Sequence, residues 1–309
     1  MSHVESLSRR EFLIQGANFG FACAGLSLLP MPHILRGVVR PTLSGQLDLA
    51  IARRGDPARN TVKAIQALGG IERFVKKDDK VVIKPNCLTP NPPEIASTTN
   101  PIVVETVVTM CRQANAREVV VLSHDPLLNF QRNGVMEGAS RAGARVLAAT
   151  SRDLYQTLPV LRGTLLQNVD ILKEALDADV FINVPIAKTH GEAGLTLSMK
   201  NLMGIIWDRG YFHRNGLHQA IADLSTMVKP DLIIMDANRI LLSNGPSGPG
   251  QTRDDKTVIA GTDPVAIDAY CTTLFNRTPR DIPHIEYAYE LGVGEMNLKK
   301  LNIDDIEVN

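Results

Sequence analysis

Residues 181–204, FINVPIAKTHGEAGLTLSMKNLMG, pass from an apolar run into Lys188, His190 and Lys200, separated by glycines. Ammonium groups just beyond a buried strand can hold a carboxylate or phosphate, and an imidazole there can carry a proton or bind a metal near neutral pH. The arrangement recurs along the chain. "VVI" is followed by Lys84, Pro85, Asn86 and Cys87, "VVVL" by Ser123, His124 and Asp125, and "LIIM" by Asp236, Ala237 and Asn238. Any one of these lysines alone would read as solvated. Lys84 and Lys188 each follow an apolar strand with a proline close by, which points to a shared anion-binding role.

The candidate set is His190 and Lys188 for proton movement, with His190 also the metal candidate, and Lys84, Asn86, Lys200, Asn201, Asp236 and Asn244 for ligand contact. Of these, His190 is the one expected to titrate near neutrality without a large shift. A helix is expected from about Gly194 to Met203, with Thr196 and Lys200 on one face. Lys200 and Asn201 then face either solvent or the crevice, and the sequence leaves both open. The loop SNGPSGPG at 243–250, which holds Asn244, reads as a rigid turn or as a close backbone approach to a ligand. His213 and His218 read as capping or surface residues.

A mostly parallel sheet would gather these residues, because the carboxyl ends of its strands and the loops beyond them converge. Seven strand candidates, LDLAIAR, KVVIKPN, EVVVLSH, ARVLAA, ADVFINV, DLIIMDA and KTVIAG, alternate with helical stretches. Asn100–Pro101 and Asp263–Pro264 each read as an N-cap followed by proline at the first helical position. The fold class expected is α/β, a mostly parallel sheet with helices on both faces in a Rossmann-like layering, as one domain over residues 45–309. Residues 151–169 are the least periodic and are expected to leave the sheet. Asp268, one turn into its helix, must find a cation or polar group if buried.

Composition removes several classes. Lysine plus arginine, 33, equals aspartate plus glutamate, 33, so no global field points to nucleic acid or an anionic membrane. Aromatics are 5% with one tryptophan, Trp207, which leaves little to stack bases on. The nearest pair of the four cysteines (Cys23, Cys87, Cys111, Cys271) is 24 positions apart, so no CxxC clip or ferredoxin run exists. An iron–sulfur cluster is therefore not expected, and at least one thiol should be free. There is no P-loop, no GxGxxG after the first strand, no GxSxG and no HExxH.

The segment 1–32 carries SRREFL, with Arg9, Arg10, Phe12 and Leu13, before the glycine- and alanine-rich run that ends at Pro30. It resembles a twin-arginine export signal. The run is too short and too rich in glycine for a permanent transmembrane span. The resemblance implies passage of the folded chain through the twin-arginine translocation machinery to the periplasm, with a membrane tether if the segment stays uncut. It also raises the expectation of a bound cofactor.

With VVIKPN, DVFINVPIAKTHGEAGLTLSMKNLMG, LHQAIADL, KPDLIIMDA, NGPSGPG and DPVAIDAY in this order, the body resembles the domain-of-unknown-function 362 family. That family includes twin-arginine-exported members and others with ferredoxin-type iron–sulfur modules, whose cysteine runs are missing here. The family is similar, at the level of fold, to the nickel-pincer lactate racemase group, in which a lysine holds a nucleotide-derived cofactor and histidines bind metal or move protons. The resemblance thus admits a metal or organometallic nucleotide cofactor without identifying it. Two functions are expected to compete. One is an enzyme acting on a small anionic compound, with Asp236 orienting a partner group, and the other is a non-catalytic protein that serves an export or redox pathway, either by binding a ligand or cofactor or as an iron–sulfur-associated redox accessory.

Overall fold

Side chains alternating at period two build the sheet. In strand KVVIKP, Val82 joins an apolar cluster with Val120, Leu122, Phe181 and Met235, while Val81 and Ile83 join another with Val119, Val121, Ile182 and Ile234. Both faces of the central strands are therefore buried, as a parallel sheet covered by helices requires. Each such side chain removed from water contributes about 1.5–3 kcal/mol.

The computed structural model describes residues 33–35 and 47–308. Arg9, Arg10, Phe12 and Leu13 lie outside the described residues. The strands are β1 (Leu49–Arg53), β2 (Lys80–Pro85), β3 (Glu118–Ser123), β4 (Arg145–Ala148), β5 (Tyr155–Pro159), β6 (Asn168–Leu172), β7 (Val180–Val184), β8 (Ile186–His190), β9 (Gly194–Thr196), β10 (Leu232–Leu241), β11 (Thr252–Gly261) and β12 (Ile303–Glu307). The main sheet runs β12-β1-β11-β10-β7-β2-β3-β4, with β8 paired to β10 and β9. From β10 through β7, β2 and β3 to β4 every pairing is parallel, and β11 is antiparallel to both neighbours. All seven strand candidates are strands, and the α/β class stands. Among the described residues no helix is long and apolar enough to cross a membrane.

Strand order locates the crevice. After β2 the chain builds β3 and β4 on one side, then returns to lay β7 on the other side of β2. The order reverses between β2 and β7, and at such a switch point the loops part and leave a crevice at the carboxyl edge. Lys84 of β2 faces Asn183 of β7 across that reversal.

Helix starts follow their capping residues. Asn100 accepts from the Ile102 amide ahead of the helix Pro101–Gln113, and Asp263 accepts from Val265 and Ala266 ahead of Pro264–Thr272. Residues 151–169 do leave the main sheet, and β5 pairs with β6 in a separate two-stranded sheet.

The helix expected from Gly194 to Met203 is not formed as such. Residues 186–196 make the hairpin β8–β9, with Lys188 opposite Thr196 and His190 opposite Gly194. Only Ser198–Asn201 is α-helical, followed by a 3-10 turn at Leu202–Ile205. β10 offers an edge on which β8 pairs, and Gly194 supplies the left-handed φ of 72° that the hairpin needs. Tertiary pairing here overrides a helical spacing of side chains.

Candidate functional site

Asn201 ties the switch point together. Its side-chain NH2 donates to the Lys84 carbonyl (3.2 Å) and Asn183 Oδ1 (2.8 Å). Its Oδ1 accepts from Asn86 Nδ2 (3.1 Å) and from Lys84 Nζ (3.4 Å). Lys84 Nζ also donates to the Pro85 carbonyl, and Lys188 Nζ donates to Asn86 Oδ1 (3.1 Å) and the Ser97 carbonyl. Lys84 and Lys188 are both fully buried. The carbonyl acceptors of Asn86 and Asn201 are thus taken up in holding two buried lysines.

Above this network lies a cleft of about 50 Å³ whose lining includes Lys84, Asn86, His190, Thr196, Lys200 and Arg209. Asp125 is its one carboxylate, held by both terminal nitrogens of Arg209 at 3.1 Å and by Ser123 Oγ at 2.5 Å. Lys200 forms no hydrogen bond or ion pair among the described residues. Thr196 Oγ1 is buried and likewise has no partner. Gly204 closes one wall, because a Cβ there would sit 2.2 Å from Lys84 Cε and 2.9 Å from Ser123 Oγ. A larger hollow of about 180 Å³, lined by Thr157, Asp170, Asp208 and Tyr211 among others, contains no lysine or histidine. The chemistry gathers in the smaller space.

Burial sets the proton affinities. It brings Lys84 down to about 8, partly opposed by Asp125. It brings Lys188 down to about 7, with Lys200 adding to the effect, and Lys200 down to about 8, with Arg209 adding. Burial also raises the Asp125 carboxyl, but Arg209, Lys84 and Ser123 outweigh it and leave the group below its ordinary value. His190 falls to about 4 through burial and the field of Lys200. The expectation that His190 titrates near neutrality is therefore corrected. Among the cations at and behind the cleft, the groups that titrate close to neutral pH are the lysines.

Residues 81–273 match the family model described as a domain of unknown function (DUF362). The chain belongs to this family. A relative, the thylakoid-associated protein sll1697 of Synechocystis sp., is 28% identical over 240 residues, covering 74% of this chain and 73% of the relative. Among solved structures, the lactate racemase apoprotein of Thermoanaerobacterium thermosaccharolyticum is similar with a TM-score of 0.45 at 14% identity, covering 69% of this chain. A protein from Thermotoga maritima is similar at 0.43 and 11%, covering 76%. This chain spans 54% and 60% of the lengths of those two structures.

Within this DUF362 chain, Lys84, Asn86, His190, Lys200 and Asn201 come together at one cleft, and Lys188 lies directly behind Asn86. Two expected contacts stand elsewhere. Asp236 accepts from the Asn100 amide (2.7 Å) and from the amide and side chain of Asn238 (3.1 and 2.8 Å), so it anchors the start of the helix Pro101–Gln113. Asn244 donates to the Pro249 carbonyl at 3.1 Å and staples its own loop. That loop lies on β8, where a Cβ on Gly245 would meet the Thr189 carbonyl oxygen at 1.8 Å. Asp268 accepts from the Ser198 and Met199 amides at 2.7 and 3.0 Å, and so fixes the turn that carries Lys200 and Asn201. Cys87, Cys111 and Cys271 are buried free thiols.

Sequence reasoning passed over Asn183, Thr196, Gly204 and Arg209 as site residues. Arg209, which comes after Trp207 and Asp208, carried no strand-end signal. His213 stacks on His190 with centroids 6.2 Å apart and bonds Glu192 Oε2 at 2.5 Å, while His218 pairs with buried His284 at 3.0 Å. The metal candidacy of His190 also changes. Its Nδ1 accepts from the Glu192 and Ala193 amides at 3.2 and 3.1 Å, which puts the ring proton on Nε2 and leaves the neutral ring no lone pair for a metal. Among the described residues no group of three or more His, Cys, Asp or Glu is placed to hold a metal ion. The donor set does not fit a metal centre held by these side chains. It fits an anion.

Proposed function

We propose that this chain is an enzyme that binds a small anionic compound, a carboxylate or a phosphate, in the cleft at the carboxyl end of β2. The observation that carries the reading is the charge count: Lys84, Lys200 and Arg209 line the cleft, Lys188 stands behind it, and one carboxylate, Asp125, answers them. An anion entering such a site meets preorganised positive charge at low cost in reorganisation. Lys200, partnerless and brought to about 8 by burial, is the group suited to move a proton near neutral pH. His190 Nε2–H serves as a neutral donor to an oxygen that gains charge. Native mass spectrometry of protein recovered from its own compartment should reveal a bound anionic compound, and incubation with that compound should convert it. Recovery of the compound unchanged at saturating protein would leave a binding protein without catalysis and overturn the enzyme reading.

The same proposal puts the mature body in the periplasm, delivered folded by the twin-arginine machinery, because Arg9 and Arg10 precede Phe12, Leu13 and a weakly apolar run. Changing Arg9→Lys together with Arg10→Lys should retain the protein in the cytoplasm on cell fractionation. Undiminished appearance in the periplasm would overturn the route.

A further inference from the structure

The hydrogen-bonding groups left unspent in the cleft say which anion it suits, provided the anion-binding reading above holds. The amide-carbonyl and carboxylate acceptors of its side chains are engaged. Asn201 Oδ1 receives Lys84 and Asn86, Asn86 Oδ1 receives Lys188, and Asp125 receives Arg209 and Ser123. Donors remain. Lys200 Nζ has all its N–H bonds free among the described residues, Thr196 Oγ1 is buried without a partner, and His190 presents Nε2–H while its Nδ1 is occupied. Lys84 Nζ, engaged by the Pro85 carbonyl and Asn201 Oδ1, keeps one N–H.

These donors come from four segments, β2, β8, β9 and the turn Ser198–Asn201. A carboxylate offers two oxygens in one plane and a single charge. A phosphoryl group offers three oxygens spread over a tetrahedron and close to two negative charges at neutral pH. The second pattern matches both the number of segments that donate and the excess of cations. The cleft, about 50 Å³, lies well below the roughly 300 Å³ at which pockets enclose a whole organic ligand. It has room for a head group, and Leu88, 38% exposed at its rim, offers apolar surface to the organic part attached to that group.

We propose that the cleft binds the phosphoryl dianion of a phosphate monoester, with the organic part leaving past Leu88. Calorimetric titration of the full chain at neutral pH and low salt with phenyl phosphate, inorganic phosphate and benzoate tests this. Phenyl phosphate should bind at least about tenfold tighter than benzoate, and Thr196→Val should weaken it by about tenfold, the usual effect of losing a hydrogen bond to a charged group. Inorganic phosphate binding as tightly as phenyl phosphate would overturn the monoester assignment in favour of free phosphate. Benzoate binding as tightly as phenyl phosphate would overturn the phosphoryl assignment and leave the anion reading standing. No binding by any of the three would remove both. The comparison on the unsubstituted chain decides even if Thr196→Val fails to fold, and unchanged affinity in a folded variant would overturn the role of Thr196.

Discussion

Lys200→Met should lower affinity for the bound anion by about a hundredfold and remove turnover, while leaving the fold intact. A charge-assisted hydrogen bond is worth about 1.5–3 kcal/mol, and Lys200 also supplies the proton-moving group of the proposed reaction. The fold should survive because no partner is orphaned: Lys200 bonds to nothing among the described residues, and its neighbour Asn201 keeps all four of its contacts. Removing a partly buried cation that sits among Lys84, Lys188 and Arg209 relieves repulsion. Urea unfolding should therefore show a midpoint equal to or above that of the parent. Calorimetry reads the affinity, and an unchanged dissociation constant would exclude Lys200 from the site.

Lys188→Met should flatten the dependence of stability on pH between about 7 and 9. The folded-state value of Lys188 is about 7, against about 10.4 in an unfolded chain. Between these values the unfolded chain holds the proton and the folded chain does not, so stability rises with pH across the window. Below the folded value both states are protonated and the full cost of burying the charge is present. That cost is about 5 kcal/mol, since each tenfold loss of proton affinity corresponds to about 1.4 kcal/mol. The methionine leaves Asn86 Oδ1 and the Ser97 carbonyl without their donor, which returns about 1–3 kcal/mol of destabilisation. The parent's urea midpoint should thus climb from pH 7 to pH 9, and the climb should be visibly smaller in the variant. Equal slopes would mean that Lys188 is not buried as a strained cation. A bound dianion should also reduce the climb, because it restores protons to the lysines of the folded state.

Strands were legible because they are short β-branched apolar runs, such as Val81, Val82 and Ile83, that alternate with helical stretches, as strands buried on both faces require. Helix starts at Asn100 and Asp263 were legible because capping is local chemistry. The lysines at strand ends were legible for a related reason, since the carboxyl edge of a parallel sheet is where an apolar run must stop. The hairpin β8–β9 was not, because its pairing partner β10 lies more than forty residues away in sequence and the intervening spacing looks helical.

By itself, then, the sequence determined the α/β class, the strand ends at which polar and ionisable residues gather, and the cationic character of the residues there. Tertiary structure alone decided which of them meet. It sent Asp236 and Asn244 to structural duties, brought Arg209 and Thr196 to the cleft, and moved titration near neutrality from His190 to the lysines. The physical reason is that contacts between distant segments and the cost of burying a charge depend on which surfaces enclose a group, and local spacing carries no record of that.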